Sequence, residues 1–170
     1  MPENPVLIIG GGPAGLEAAR GVADLGYPVT LVEKEDRLGG TPIHCDYAAL
    51  TPNMVNAEEA MGAMGKKIEN DPLIDIRTST EITTASGNAP ELQVTLKGQS
   101  GEEQLNAGSV IVATGFKHFD PGKETQMYGY YEFDDVITLV DTERMLKAGK
   151  FVRPSTCLLY TSPSPRDERL

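Results

Sequence analysis

Cysteine is scarce: Cys45 and Cys157 are the only two in 170 residues. That is too few for a disulfide framework or a four-thiolate metal site. Positive charge is scarce as well. With 15 Lys and Arg against 25 Asp and Glu, the formal net charge is −10, whereas a nucleic-acid binder normally shows a basic face. The two histidines, His44 and His118, stand far apart and in no ligand-spaced cluster, so no metal site is expected from them. No apolar run approaches the roughly 18 residues that span a bilayer. The start, Met1-Pro2-Glu3-Asn4-Pro5, is acidic where a secretory signal is basic, and there is no internal repeat. These absences point to a cytoplasmic protein with no nucleic-acid partner and no transmembrane segment. The remainder of the composition, 39% hydrophobic and 24% charged, is that of a globular domain. A chain of this length buries about 70% of its unfolded surface without covalent staples.

What the sequence does have is glycine and proline, 18 and 12 respectively, and their placement is informative. Val6-Leu7-Ile8-Ile9 reads as a strand buried on both faces. It runs directly into Gly10-Gly11-Gly12-Pro13-Ala14-Gly15. Leu16, Ala18, Ala19, Val22, Ala23 and Leu25 then mark a small-residue helix that Gly26 stops. Val29-Thr30-Leu31-Val32-Glu33 is a second strand, so residues 6–33 have the size of one βαβ unit. A long connection over 34–53 is expected next. Thr51-Pro52 offers a helix start, for a helix over about 53–70. A strand over 73–78 follows. Three short extended pieces near 81–85, 92–97 and 103–106, joined by Gly- and Ser-rich turns, suggest an antiparallel meander. Ser109-Val110-Ile111-Val112-Ala113 is another buried strand, and a short helix is expected over 141–147.

Gly10-x-Gly12-x-x-Gly15 follows a strand and opens a helix, the context a dinucleotide fingerprint requires. Gly10 permits the tight turn, Gly12 lets a pyrophosphate approach the backbone, and Gly15 lets helix and strand pack closely. The helix N-terminus offers its unpaired N–H groups and positive end to the anion. Pro13 sacrifices nothing there, because its missing N–H would be an orphan anyway. Glu33, at the end of the second strand, suits the two hydroxyls of an adenosine ribose and repels a 2′-phosphate. NADP is therefore disfavoured at this turn, while NAD and FAD are not separated.

A family resemblance separates them. The run 6–15, Glu33-Lys34, Arg37-Leu38-Gly39-Gly40 and the distant Val110-Ile111-Val112-Ala113-Thr114-Gly115 resemble the FAD domain of two-dinucleotide-binding flavoproteins. The resemblance implies an α/β, Rossmann-like FAD/NAD(P)-binding fold with a parallel sheet plus a three-stranded antiparallel β-meander. It implies FAD as the cofactor. It implies cofactor-binding roles for Gly10, Gly11, Gly12, Pro13, Ala14, Gly15, Glu33, Lys34, Arg37, Gly39, Gly40, Ala113, Thr114 and Gly115. No residue reads as a general acid, base or nucleophile with partners at useful spacing, as expected where the cofactor carries the chemistry. The pyridine nucleotide–disulfide reductases carry two cysteines shortly after the Gly-Gly. Only Cys45 stands in that loop here, and a dithiol relay needs two thiols.

Leu50-Thr51-Pro52-Asn53-Met54, Gly115-Phe116-x-x-Phe119-Asp120-Pro121, Tyr128-Gly129-Tyr130, Asp135-Val136-Ile137-Thr138 and Glu143-Arg144-Met145-Leu146 narrow the likeness. They are similar to the A-type subunit of heterodisulfide reductase and to the flavoprotein subunits of the quinone-interacting membrane-bound oxidoreductase. These proteins pass electrons among flavin, iron–sulfur clusters and protein partners. The resemblance therefore implies an FAD-dependent oxidoreductase that works as an electron-transfer subunit, with redox partner subunits or electron-carrier proteins. Association with a membrane complex would come through such partners. NAD(P) or iron–sulfur clusters would belong to parts outside this chain or to those subunits, since one thiol cannot hold a four-iron cluster. Two other readings stand: an NAD(P)H- or ferredoxin-linked flavin reductase on the same domain, and a non-catalytic nucleotide-binding module. Residues 1–154 are expected to be the N-terminal part of a discontinuous FAD/NAD(P)-binding domain. Residues 155–170, with Thr161-Ser162-Pro163-Ser164-Pro165 and no periodicity, are expected to be a disordered or non-native tail.

Overall fold

The computed structural model describes residues 4–124 and 128–157. Most of the expected tail, 158–170, lies outside the described residues. The chain divides into two compact units, residues 1–45 with 49–116, and residues 46–48 with 117–170.

The first unit opens with β1 (Val6–Ile9), α1 (Pro13–Asp24) and β2 (Val29–Val32). A short helix α2 (Thr41–His44) and a small hairpin of β3 (Ala49–Leu50) and β4 (Val55–Asn56) lead to α3 (Ala57–Glu69). Then come β5 (Ile74–Arg77), β6 (Glu81–Asn88), β7 (Glu91–Gly98), β8 (Gly101–Ala107) and β9 (Ser109–Val112). Four strands form a parallel sheet in the order β5-β2-β1-β9. The strands β6, β7 and β8 form the antiparallel meander.

Strand periodicity explains how the layers stack. Successive side chains point to opposite faces, and both faces of β1 are covered. Ile8, fully buried, packs with Leu16 and Ala19 of α1, Ile68 of α3, and Val29 and Leu31 of β2. Its neighbour Leu7, also fully buried, packs with Val32 and with Val94, Leu96 and Ala107 of the meander. Helices thus cover one face and the meander the other. This is why β1 reads as an unbroken apolar run rather than an alternating one.

The expected helix start at Thr51-Pro52 is corrected: these residues lie in the turn between β3 and β4. The helix begins at Ala57 instead, where the Asn56 side chain accepts hydrogen bonds from the N–H groups of Glu58 (3.0 Å) and Glu59 (3.1 Å). An Asn with two N–H partners is as good a cap as Thr, and its position after Val55 lets the preceding residues close a hairpin. α2 appears inside what reads as irregular connection.

Among the described residues of the second unit, α4 (Pro121–Glu124) and α5 (Leu139–Lys147) are the helices. α5 begins at a reciprocal cap. Thr138 Oγ1 accepts from the Asp141 N–H (3.2 Å), and Asp141 Oδ2 accepts from the Thr138 N–H (2.9 Å). Tyr130 donates its hydroxyl to the same carboxylate (3.1 Å). Asp135 accepts from the Ser155 N–H (3.0 Å), the Ser155 hydroxyl (2.8 Å) and Arg153 Nε (2.7 Å). Ser155, the first residue of the expected tail, is thereby tied to the 128–138 loop.

Candidate functional site

The glycine turn sits where β1 ends and α1 begins. Gly10 donates its N–H to the Val32 carbonyl (2.8 Å) and has φ +109°, a conformation only glycine adopts readily. A Cβ on Gly10 would also lie 2.8 Å from the Ala113 carbonyl carbon and closer still to its oxygen. Gly15 is buried, and a Cβ there would drive into the Gly10 carbonyl. The turn is therefore sealed on two sides by the chain itself. Gly12 is different. Its φ is −79°, and the nearest atom to an added Cβ is the Gly40 Cα at 3.6 Å. Gly12 caps α1 without any side-chain hydrogen bond, and no acid occupies the first turn. Pro13 and Ala14 are exposed. The first-turn N–H groups of α1 thus have no side-chain acceptor, leaving a positive, open helix end.

A second turn is locked to the first. Gly39 donates to the Gly11 carbonyl (2.8 Å), and a Cβ on Gly40 would stand 2.7 Å from the Gly12 Cα. The two backbones touch with no side chain between them. Leu38 fills the space over Gly11, where an added Cβ would meet Leu38 Cδ2 at 2.6 Å. The sequence motif contains Leu38 but gives no hint of this packing. The third piece is the end of β9. Ala113 donates to the Ile9 carbonyl (2.8 Å), Thr114 is exposed, and Gly115 lies beside Thr41 Oγ1. The sheet order, which places β1 between β2 and β9, brings all three turns to one end of the sheet.

Glu33 is buried, 6% exposed, and its carboxylate faces the glycine turn. Oε2 accepts from the Gly11 N–H (2.6 Å) and Oε1 from the Glu35 N–H (2.9 Å). Its own backbone is held on both sides, by the Arg77 carbonyl (2.9 Å) and the Thr80 N–H (2.9 Å). A carboxylate has about four acceptor positions, so two remain after these bonds. The Arg77 guanidinium holds its proton more firmly than an ordinary arginine. The Asp75 hydrogen bond is the main cause, burial opposes it, and Glu103 adds to it.

The other expected residues lie further out. Lys34 is exposed and stands 3.4 Å from Glu35. Arg37 is exposed and lines a cleft of about 620 Å³ with Leu38, Ile43, Met61 and Ile76. None of the turn glycines lines that cleft. His44, weighed in the sequence only as a metal ligand, lies just after the Gly39-Gly40 turn, and its Nε2 is buried with no hydrogen-bond partner among the described residues. Cys45 is half-buried. Among the described residues no group of three or more His, Cys, Asp or Glu is placed to hold a metal ion, and no helix is long and apolar enough to cross a membrane.

Residues 4–150 match the family described as pyridine nucleotide-disulphide oxidoreductase. The chain is 27% identical to an A-type iron–sulfur subunit of the CoB–CoM heterodisulfide reductase of Methanopyrus kandleri, over 90% of this chain and 35% of that protein. It is 26% identical to the A-type subunit of the ferredoxin/F420H2-dependent CoB-CoM heterodisulfide reductase of Methanosarcina acetivorans, over 89% of this chain and 29% of the relative. The chain thus spans about a third of the length of these curated relatives. Among solved structures, the thioredoxin reductase of Lactococcus lactis superposes with a TM-score of 0.58 at 21% identity. That match covers 69% of this chain and 37% of the reductase, and it shows a shared fold.

Proposed function

Because the chain belongs to the pyridine nucleotide-disulphide oxidoreductase family, we propose that it binds FAD at the three glycine turns. On this reading it serves as the flavin-bearing part of an electron-transfer subunit of heterodisulfide reductase A type. The domain is that of an FAD-dependent oxidoreductase. The observation that carries the proposal is the cradle at Gly12. An uncapped helix end faces open space, where a Cβ on Gly12 would stand 3.6 Å from the Gly40 Cα.

The residues fit the cofactor. Gly11, Gly12 and the first turn of α1 would hold the pyrophosphate, since Pro13, Ala14 and Gly15 present no acid and the helix dipole favours an anion. The remaining acceptor positions of Glu33 take the ribose hydroxyls, while its two backbone bonds keep the carboxylate from swinging away. Gly39 and Gly40 let the cofactor chain pass without side-chain obstruction, and Ala113, Thr114 and Gly115 close the far side. Lys34 and Arg37, both exposed, offset the phosphate charge from the rim rather than by direct contact. Once bound, the flavin supplies two-electron uptake and one- or two-electron release. This chain's residues supply position and electrostatics.

Residues 1–154 act in this proposal as the N-terminal part of a discontinuous FAD/NAD(P)-binding domain in a cytoplasmic protein. Redox partner subunits would deliver or collect the electrons, as the names of the relatives suggest. The test is a visible spectrum after reconstitution with FAD, for the wild type and for Gly12→Val. Flavin bands in the wild type and their loss in the variant are expected. Equal retention by both would overturn the site. Bleaching of the bound flavin by a reductant, then reoxidation by a one-electron acceptor, is expected of an electron-transfer domain. A flavin that does not cycle would indicate a nucleotide held for structure alone.

A further inference from the structure

The second unit carries side chains that the nucleotide site does not use. Phe119, Tyr128, Tyr131 and Phe133 are each between 58% and 76% exposed, and they form one group. The rings of Phe119 and Tyr128 meet edge to face at 6.2 Å. The Tyr131 ring lies over Gly122, and the Phe133 ring over Gly129, next to Tyr128. A Cβ on either glycine would strike the ring above it, so both rings have fixed seats. The loop is also held from within. The Gly129 carbonyl accepts from the N–H groups of Glu132 (3.0 Å) and Phe133 (2.9 Å), and the Tyr130 hydroxyl is anchored on Asp141. Among the described residues of this unit, no Leu, Ile, Val, Met, Phe or Tyr is buried. No core of the unit's own therefore draws these rings inward.

Charge is the second observation. Residues 125–143 hold five acids and no Lys, Arg or His. Three of the acids are engaged: Asp135 by Arg153 and Ser155, Asp141 by the cap of α5, and Glu143 by the Ala48 N–H (3.0 Å). Glu132 and Asp134, which alternate with Tyr131 and Phe133, are exposed. Among the described residues, no salt bridge engages either one. Lys123, the nearest base in sequence, is already paired with Asp120 (3.7 Å). We propose that this aromatic and acidic surface docks a partner protein with a basic face. The partner's Arg and Lys side chains lie over the rings and meet the two carboxylates.

The size of the surface says what kind of partner it suits. An aromatic side chain buries about 150–250 Å² when fully covered, so four rings at this exposure offer on the order of 500 Å². That matches the largest apolar patch of an ordinary monomer. Two such faces bury on the order of 1,000 Å² together, the range of transient electron-transfer encounters and below that of permanent subunits. Rings already seated on glycine lose little freedom on docking. An electron carrier with a basic face fits both the sign and the size. That role rests on the flavin reading above, whereas the docking itself does not.

An NMR titration of the chain without flavin, at low ionic strength, with reduced cytochrome c as the basic electron carrier tests this. Signals of residues 119–134 should shift, and the shifts should fade as salt screens the charges. Tyr131→Ser/Phe133→Ser, at exposed positions, should keep the circular dichroism of the wild type and bind about tenfold more weakly. Glu132→Gln/Asp134→Asn should bind at least about threefold more weakly. Glu91→Gln/Glu102→Gln removes the same charge from exposed positions of the meander and should bind as the wild type does. Equal weakening by the meander pair would reduce the effect to net charge and overturn the proposal. So would shifts centred elsewhere, an absence of binding, or self-association of the chain through this loop without cytochrome c. No step of the titration needs flavin, so a failure here is distinct from a failure to bind FAD.

Discussion

Replacing the fingerprint glycines one at a time by alanine separates the fold from the cofactor. At Gly10, alanine must adopt φ +109°, a strain of about 1–3 kcal/mol. Its methyl also overlaps the Ala113 carbonyl. Neither backbone is free to retreat, since Gly10 is bonded to Val32 and Ala113 to Ile9, so overpacking adds about 1–3 kcal/mol. The sum, about 2–6 kcal/mol, lowers the melting temperature by roughly 5–20 °C for a chain of this size. Gly15→Ala, whose methyl would drive into the Gly10 carbonyl, belongs with it. Gly12→Ala behaves oppositely. With φ −79° and 3.6 Å to the nearest neighbour, it costs less than about 1 kcal/mol as a helix cap. Yet its methyl enters the gap proposed for the pyrophosphate, so FAD affinity is expected to fall about tenfold or more. The assay is thermal unfolding by far-UV circular dichroism without FAD, so that binding does not contribute to stability, beside fluorescence titration with FAD. Gly10→Ala melting within about 2 °C of the wild type refutes the steric reasoning. Gly12→Ala losing as much stability as Gly10→Ala, or keeping full affinity, refutes the division of roles.

Further outcomes follow from other contacts. Glu33→Gln turns one acceptor oxygen into an amide facing the N–H of Gly11 or Glu35, and should cost about 1–3 kcal/mol by urea unfolding. Unchanged stability would deny the clamp on the turn. Ile8→Ala, at a site with no exposure between α1 and α3, should cost about 2–5 kcal/mol in the same assay. Asp141 is pulled below its ordinary value of 3.8 although burial, the largest single influence, pushes it up. The Thr138 backbone and hydroxyl and the Tyr130 hydroxyl outweigh burial. Its folded pKa being depressed, its contribution is present above about pH 4 and is lost as pH falls through the folded value. Asp141→Ala should therefore cost about 1 kcal/mol near neutral pH and progressively less in acid. A difference that does not shrink in acid would contradict the assignment.

The sequence by itself determined most of the first unit's elements, but not all their faces: the strand over 109–113, expected to be buried, is the mostly exposed edge strand β9. Short branched runs marked β1 and β2, the glycine triplet marked the turn into α1, and Gly- and Ser-rich turns marked the meander, because these signals are local and periodic. The likeness of the glycine motifs extended this to the family and its flavin. Where a local signal had rivals, it misled. Thr51-Pro52 had the chemistry of a helix start, but the β3–β4 pairing claimed those residues and passed the cap to Asn56. Only the tertiary structure decided what touches what. Gly10 abuts Ala113 and Gly12 abuts Gly40 because the sheet order brings three turns to one end. That Glu33 clamps the Gly11 turn was equally invisible in one dimension. Spacing along the chain identifies a carboxylate at a strand end. Which N–H groups it meets depends on strands and loops brought together by packing.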